Sequence, residues 1–353
     1  MSALAVIDLG AYRQNLALLR TKVAPAELMV VVKANAYGHG MLEMAAAAVA
    51  DGVIWLGSLD LTSARRLRAA GIRPGVSIFA WLLGPDENYR SAVNAGIDLG
   101  VSTLDQLRQI AHSGSAKPAR LHLKIDTGLH RWGATPELWP QLVREAIAFE
   151  REGLVEVYAA WTHIAEASNS EDSAAIARFD AAIAVAEALG ARFALRHLAA
   201  SAAGFARPDA RFDLVRMGAF AYGISPGDGV TAQDLGLVPV MTLKAFVTGI
   251  LRQGGRTLAV VPFGSGEGIP ADVVNRVAVA IRGIRFPIVR VELDHLLVDV
   301  QHASVELSDE VILFGPGDHG ELTLQAWGDS LGTIGEEIAV RVGPRVPRDY
   351  LGA

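Results

Sequence analysis

The chain has 353 residues, 51% of them hydrophobic, a net charge of −6 and no cysteine. That length predicts more than one domain. The scattered acidic balance excludes a basic nucleic-acid or membrane surface, and the lack of cysteine excludes disulfides, thiolate metal sites and a cysteine nucleophile. The first residues lack a basic leader and meet Asp8 early, so no signal peptide is expected. The most apolar later stretch, 235–251, is interrupted by Pro239 and Lys244, so no membrane span is expected either. The expectation is a cytoplasmic protein with a small-molecule partner, and no metal is assigned to it.

In chain order, AVIDL near the N-terminus has the composition of a strand, but the sequence does not say what it pairs with. From about residue 28 apolar runs alternate with amphipathic stretches. Strands are predicted at Leu28–Val32, Val53–Gly57, Val76–Ala80, Leu99–Ser102, Leu121–Ile125, Val155–Trp161, Ala194–Leu198 and Leu214–Ala219. Between them LTSARRLRAA, TLDQLRQIAH and AAIARFDAAIAVAEAL read as helices. Eight strands with intervening helices predict an α/β fold, a (β/α)8 TIM barrel, and the count of eight disfavours a doubly wound sheet. After Pro226 the segments VMTLKAFVTGI, TLAVVPFG, VNRVAVAI, PIVRVELDHLLVDV and EVILFG are β-rich and separated by Gly, Pro and Asp. The expected organisation is a barrel over residues 1–230, its first ten or so residues free to pack with the second domain, and a mostly β domain over 231–353. A short helix is expected near Asp329–Ile338.

Reactive side chains of a barrel sit at the C-terminal ends of its strands. The predicted ends carry Lys33, Lys124 with Asp126, His163, Ser201, and Arg216 with Gly218. The decapeptide VVKANAYGHG, Val31 to Gly40, is the most informative of these segments. Its lysine closes a buried apolar run, where an amine can be desolvated, made nucleophilic and joined as a Schiff base to an aldehyde cofactor. Other readings stay open for the rest. Lys124 could be a rim lysine pairing Asp126, Arg216 could pair Asp213, and His163 and His197 could each be structural. His39, His130 and Glu166 read as supporting or surface residues.

VVKANAYGHG resembles the pyridoxal-phosphate attachment segment of alanine racemases, and the similarity continues along the chain. LHLKIDTGLHRWG, WTHIAEA, RHLAAS, FDLVRMGAFAYGISP and the closing RVPRDY each resemble a family segment, in the family's order. The resemblance implies a fold-type III enzyme: a homodimer whose active sites are each completed by the partner's β domain, holding pyridoxal 5′-phosphate and acting on an amino acid. It implies that Lys33 holds the cofactor and serves as one catalytic base, and that Tyr37, Ser201 and Gly218 help bind the phosphate. Tyr222 matches the family near that pocket. Arg216 would face the pyridine nitrogen, and His163 and His197 would form a hydrogen-bonded series with it. Arg131 would contact the ring's phenolic oxygen or the substrate carboxylate. Lys124 matches a position that is carbamylated in many members.

The chain departs from the family in the β domain. The catalytic tyrosine of the GYxDGYPR segment, which serves the second face of the α-carbon, is Ser265 in PFGSGEGIPA, and the second tyrosine is Ile269. Glu336 stands where another tyrosine normally helps hold the phosphate, LDH (Leu293–His295) replaces MDQ, and Ala200 replaces an asparagine. The strand and loop before Ser265 are shortened to about Arg252–Arg256. Three accounts follow. Ser265 takes the tyrosine's role; or Glu267 or His295 supplies the second base, or the substrate differs; or the chain binds pyridoxal phosphate with one-base or regulatory behaviour only.

Overall fold

The computed structural model describes residues 3–352. They form two compact units, one of residues 19–33 and 48–218, the other of residues 3–18, 34–47 and 219–352. Among the described residues no helix is long and apolar enough to cross a membrane.

The N-terminal strand β1 (Ala3–Asp8) belongs to the second unit. The first unit contains β2 (Glu27–Val31), β3 (Trp55–Asp60), β4 (Ser77–Leu82), β5 (Ile97–Val101), β6 (Ala119–Lys124), β7 (Val155–Trp161), β8 (Leu195–His197) and β9 (Leu214–Met217). All eight expected strands are present. They pair in parallel in the order β8-β7-β6-β5-β4-β3-β2-β9. Asp213 N–H to Arg196 O (3.1 Å) and Arg216 N–H to Ala199 O (3.2 Å) tie the two ends together. This is a (β/α)8 barrel, because a doubly wound sheet would reverse its strand order at a switch point.

The helices start where the sequence supplies caps. Asp60 accepts from Ser63 N–H (2.7 Å) ahead of Leu61–Ala69, and Thr103 accepts from Gln106 N–H ahead of Leu104–Ala111. Met29, Trp55, Phe79, Ala159, Trp161, Leu195 and Leu214 pack together in the buried core. Side chains alternate along a strand, so Arg120, His122 and Lys124 of β6 share one face. That face is turned inward: His122 and Lys124 are buried, and His122 reaches across β7 to bond His197 of β8.

The second unit is built on a nine-stranded sheet. Its further strands are β10 (Met241–Phe246), β11 (Gly249–Gln253), β12 (Arg256–Val261), β13 (Ala278–Ile281), β14 (Ile284–Val291), β15 (Leu296–Asp299), β16 (Glu310–Phe314) and β17 (Arg348–Leu351). The order is β11-β12-β15-β14-β13-β16-β10-β1-β17. β1 lies antiparallel to β10 and parallel to β17. The shortened segment is a two-residue hairpin between β11 and β12, with Gly254 and Gly255 both at positive φ (59° and 75°), the conformation a tight hairpin turn requires. The helix expected near Asp329–Ile338 is instead two helices, Leu324–Leu331 and Gly335–Arg341. Gly332, at φ 73°, ends the first in the left-handed conformation.

Candidate active site

Lys33 follows β2 at the C-terminal end of the strands and is half-buried. The next four residues do not continue as a right-handed turn. Ala34, Asn35, Ala36 and Tyr37 all take positive φ (50°, 56°, 54° and 51°). Left-handed helical conformation costs a non-glycine residue about 1–2 kcal/mol, so the surroundings must impose it. Asn35 Oδ1 accepts from Met41 N–H (2.9 Å), and its carbonyl accepts from Gly40 N–H (2.9 Å). His39 is fully buried, and its Nδ1 lies 2.9 Å from the carbonyls of both Ala36 and Tyr37. A carbonyl only accepts, so this nitrogen carries the proton. Burial pushes His39 down to about 4, which keeps it neutral and in this role. His39 is therefore a buried clamp on the turn, not a surface residue. A Cβ at Gly38 would lie 2.4 Å from Ala339 O, and one at Gly40 would overlap the Tyr350 hydroxyl, so both glycines are required.

Tyr37 and His39 pack on Tyr222, with ring centroids 5.2 and 4.8 Å away, and Tyr12 stacks on Tyr222 at 5.6 Å. Tyr222 is fully buried, and burial raises its hydroxyl well above the usual range. The structure gives it a packing place beneath Tyr37.

Arg216, near the end of β9, is buried. Its Nη1 lies 3.0 Å from His197 Nδ1, and its Nη2 lies 3.0 Å from His163 Nδ1 and 2.9 Å from the carbonyls of Thr162 and Leu198. The histidines and the arginine thus form one bonded series. Asp213, the alternative partner, is paired instead with Arg196 (2.8 Å). Burial pushes Arg216 down to about 9, with Glu166 opposing and Arg131 assisting, which leaves it charged at neutral pH. Every partner bonded to the guanidinium is neutral. Its Nε–H makes no hydrogen bond among the described residues.

A guanidinium only donates, so His163 Nδ1 and His197 Nδ1 must both be acceptors. Burial, Arg216 and neighbouring cations hold His163 well below its ordinary value; Arg131, Lys124 and Lys33 all contribute. Burial, then Arg216 and His122, do the same to His197. Both rings are neutral with the proton on Nε2. His163 also borders an open cavity of about 560 Å³ that Asp126, Thr127, His130, Glu171 and Arg178 help to line.

Lys124 is buried, and its Nζ donates to Arg131 O (2.9 Å). Burial, then Arg216 and Arg131, push it down to about 7, so a large fraction is free amine at neutral pH. It is not a rim lysine paired to Asp126. Asp126 accepts from the Gly128 and His130 N–H groups (3.0 and 3.1 Å) and meets His130 Nδ1 at 2.9 Å. Burial raises the Asp126 carboxyl, but these bonds outweigh it and hold the group below its usual range. The Arg131 side chain is exposed in the same loop. Ser201 is buried at the start of the Ser201–Ala206 helix, and its Oγ accepts from Gly218 N–H (3.0 Å).

Ser265 lies in the second unit, at the start of the short 3₁₀ turn Ser265–Glu267. The backbone of this loop is firmly set. A Cβ on Gly264 would meet the backbone of Leu293 and Asp294 at 2.5 Å. Glu267 caps the turn through Gly264 N–H (2.9 Å) and pairs with Arg345 (2.6 Å). The Ser265 hydroxyl itself is exposed, and among the described residues its one hydrogen bond is a long one to Glu292 O (3.4 Å). His295 pairs with Asp294 (2.8 Å). Glu336 lies in the first turn of Gly335–Arg341.

Sequence reasoning missed Asp98, Arg120 and His122. His122 Nδ1 lies 2.9 Å from His197 Nε2, and Asp98 is held by Arg120 Nε (2.8 Å). The signal was the Arg-x-His-x-Lys alternation of β6 beside an aspartate in β5.

A (β/α)8 barrel followed by a mostly β second unit is the fold of solved alanine racemases. The structure from the D-cycloserine producing Streptomyces lavendulae matches with TM-score 0.96 and 36% identity, over 100% of this chain and 98% of that one. The one from Streptomyces coelicolor A3(2) matches with TM-score 0.96 and 39% identity over the same shares. Family profiles for the alanine racemase N-terminal domain and C-terminal domain match residues 7–226 and 249–350. The alanine racemase of Thermobifida fusca is 42% identical over 370 aligned positions, covering 99% of this chain and 98% of the relative. The chain belongs to the alanine racemase family.

Proposed function

We propose that the chain is a pyridoxal-phosphate-dependent isomerase that interconverts L- and D-alanine as a homodimer in the cytoplasm. The observation that carries the reading is Arg216. It is a buried cation with only neutral partners and an Nε–H donor that makes no hydrogen bond among the described residues, at the same end of the barrel as Lys33. The donor set suits the cofactor. A donor-only group opposite a pyridine nitrogen keeps that nitrogen unprotonated. The Ser201 hydroxyl and the positive groups Lys33, Arg131 and Arg216 suit a phosphate and a carboxylate.

When bound, pyridoxal phosphate supplies the electron sink that acidifies the substrate's α-proton. Lys33 holds the cofactor and moves the proton at one face of the α-carbon. Arg216, by donating without giving up its proton, limits how far charge collects in the ring and so disfavours transamination and elimination. Tyr37, Ser201 and Gly218 hold the phosphate, with Tyr222 and His39 fixing the turn that carries Tyr37. Arg131 orients the ring oxygen or substrate carboxylate. Lys124, in part a free amine at neutral pH, can add carbon dioxide, releasing a proton, to become a carbamate that steers Arg131.

The second face falls to Ser265 of the partner subunit, with the His163 Nε2–H as a further donor to the site. Glu267 and His295 are less suited to that task, since each is engaged by a charged partner. A serine hydroxyl without a bonded base is a weak proton acceptor. This favours a second reading in which exchange at the Lys33 face outruns inversion.

Purified chain with added pyridoxal phosphate is expected to develop a visible-range absorbance band. Borohydride should fix the cofactor on the peptide containing Lys33. A protein that gains no band and no label overturns the cofactor assignment.

A further inference from the structure

We propose that Asp98 and His122 are positioning residues for Arg216, acting through His197 as a one-way polar relay across the barrel interior, with hydrogen bonds from Arg216 to His122 and a close charge contact from His122 to Asp98. The inference rests on the reading of Arg216 as the group that faces the cofactor ring. Arg216 lies near the C-terminal end of β9, whereas Asp98 lies at the start of β5, at the opposite end of the barrel.

Bond polarity sets the direction. Arg216 Nη1 donates to His197 Nδ1 (3.0 Å), so His197 carries its proton on Nε2. That proton goes to His122 Nδ1, 2.9 Å away. His122 then carries its own proton on Nε2, which makes no hydrogen bond among the described residues and faces Asp98 Oδ2 at 3.5 Å, so the last link is electrostatic. Asp98 is the one member that only accepts. Arg120 holds it through Nε and Nη2, and Arg120 also donates to Ser77 Oγ (2.6 Å). All four relay residues are buried, with Asp98 at 3% and His122 and His197 at 0% exposure. Water is therefore a poor substitute for any member. Aromatic neighbours fix the two rings. Trp161 stacks on His197 (5.5 Å, 9°) and Phe79 on His122 (4.5 Å, 21°).

Reversing the far end reverses the whole relay. An amide at position 98 can turn its NH₂ toward His122 and keep its oxygen on Arg120. His122 would then carry its proton on Nδ1, His197 would follow, and the lone pair that Arg216 needs would disappear. Partners that orient a functional group in this way are typically worth ~10–100-fold in affinity or activity when removed.

The test reads histidine tautomers by ¹⁵N NMR in the chain as purified, with signals assigned by comparison with His122→Phe. His122 and His197 are expected as Nε2–H tautomers between pH 6 and 9, on the order of the window around neutrality in which unperturbed histidine changes charge. An Nδ1–H tautomer at either residue overturns the proposal. Asp98→Asn is expected to shift His197 toward Nδ1–H and to weaken pyridoxal-phosphate binding about tenfold. A folded Asp98→Asn chain with both tautomers unchanged also overturns it. Should that variant not fold, the wild-type tautomers decide. A chain that binds no pyridoxal phosphate but shows both Nε2–H tautomers loses the cofactor reading and keeps the relay. A chain that binds it with either ring reversed loses the relay alone.

Discussion

Arg216 and Ser265 occupy opposite extremes of constraint. Arg216 is buried, has four bonded acceptors, and is tied to rings that are themselves stacked and bonded. Ser265 sits on a loop whose backbone has almost no freedom, because Gly264 is crowded and Glu267 is capped and ion-paired. Yet its hydroxyl has only a long bond to a carbonyl. Preorganisation is what makes an acid–base group effective. The comparison teaches that Arg216 is held in place by several short bonds and stacked neighbours, while Ser265 has a well-defined backbone but, among the described residues, a single long bond at its side chain.

The largest effect should come from the barrel half. Lys33→Ala is expected to lower α-proton exchange by ~10²–10⁴-fold and to abolish borohydride labelling, with near-UV circular dichroism unchanged. Retained exchange would remove Lys33 from the account.

The turn that follows Lys33 should be the next most sensitive place. Gly38→Ala puts a Cβ 2.4 Å from Ala339 O at φ +82°. It is expected to destabilise the chain by about 1–3 kcal/mol, read by urea denaturation.

Lys124 gives a smaller, pH-dependent signature. Its folded value, about 7, lies below its ordinary 10.5. Between those values the unfolded chain binds the extra proton, so stability should rise with pH across that window. Lys124→Met should flatten the rise when carbon dioxide is excluded. With ¹³C-labelled bicarbonate, a carbamate carbon signal should appear in the parent and be absent from the variant.

Ser265→Ala is expected to be the mildest, changing exchange less than about threefold, because the group removed has no bonded base to activate it. Ser265→Tyr should raise the rate of inversion without raising exchange at the Lys33 face. Loss of activity in Ser265→Ala comparable with Lys33→Ala would erase the contrast between the two halves.

The barrel and its strand-end residues were legible because alternation along a strand and the C-terminal-end rule are local. Lys33, His163, Ser201 and Arg216 all stand where apolar runs end. The left-handed turn at Ala34–Tyr37 was not legible, since alanine and tyrosine do not favour positive φ and the cause is the buried His39 and the close approach at Gly38. Asp98 and His122 sit inside strands that read as apolar, and only the register across β6 and β8 shows that they connect to Arg216. Nor could sequence separate the candidate second bases. The engagement of Glu267 depends on Arg345, 78 residues away.

The central claim is tested most directly by incubating L- and D-alanine separately in deuterium oxide with the pyridoxal-phosphate-loaded chain and following α-deuteration alongside optical rotation. The account predicts deuteration of the enantiomer whose α-proton faces Lys33, with loss of rotation slower by ~10²-fold. No deuteration of either enantiomer would contradict it, and equal rates of exchange and inversion would show that Ser265 is as well directed as Lys33.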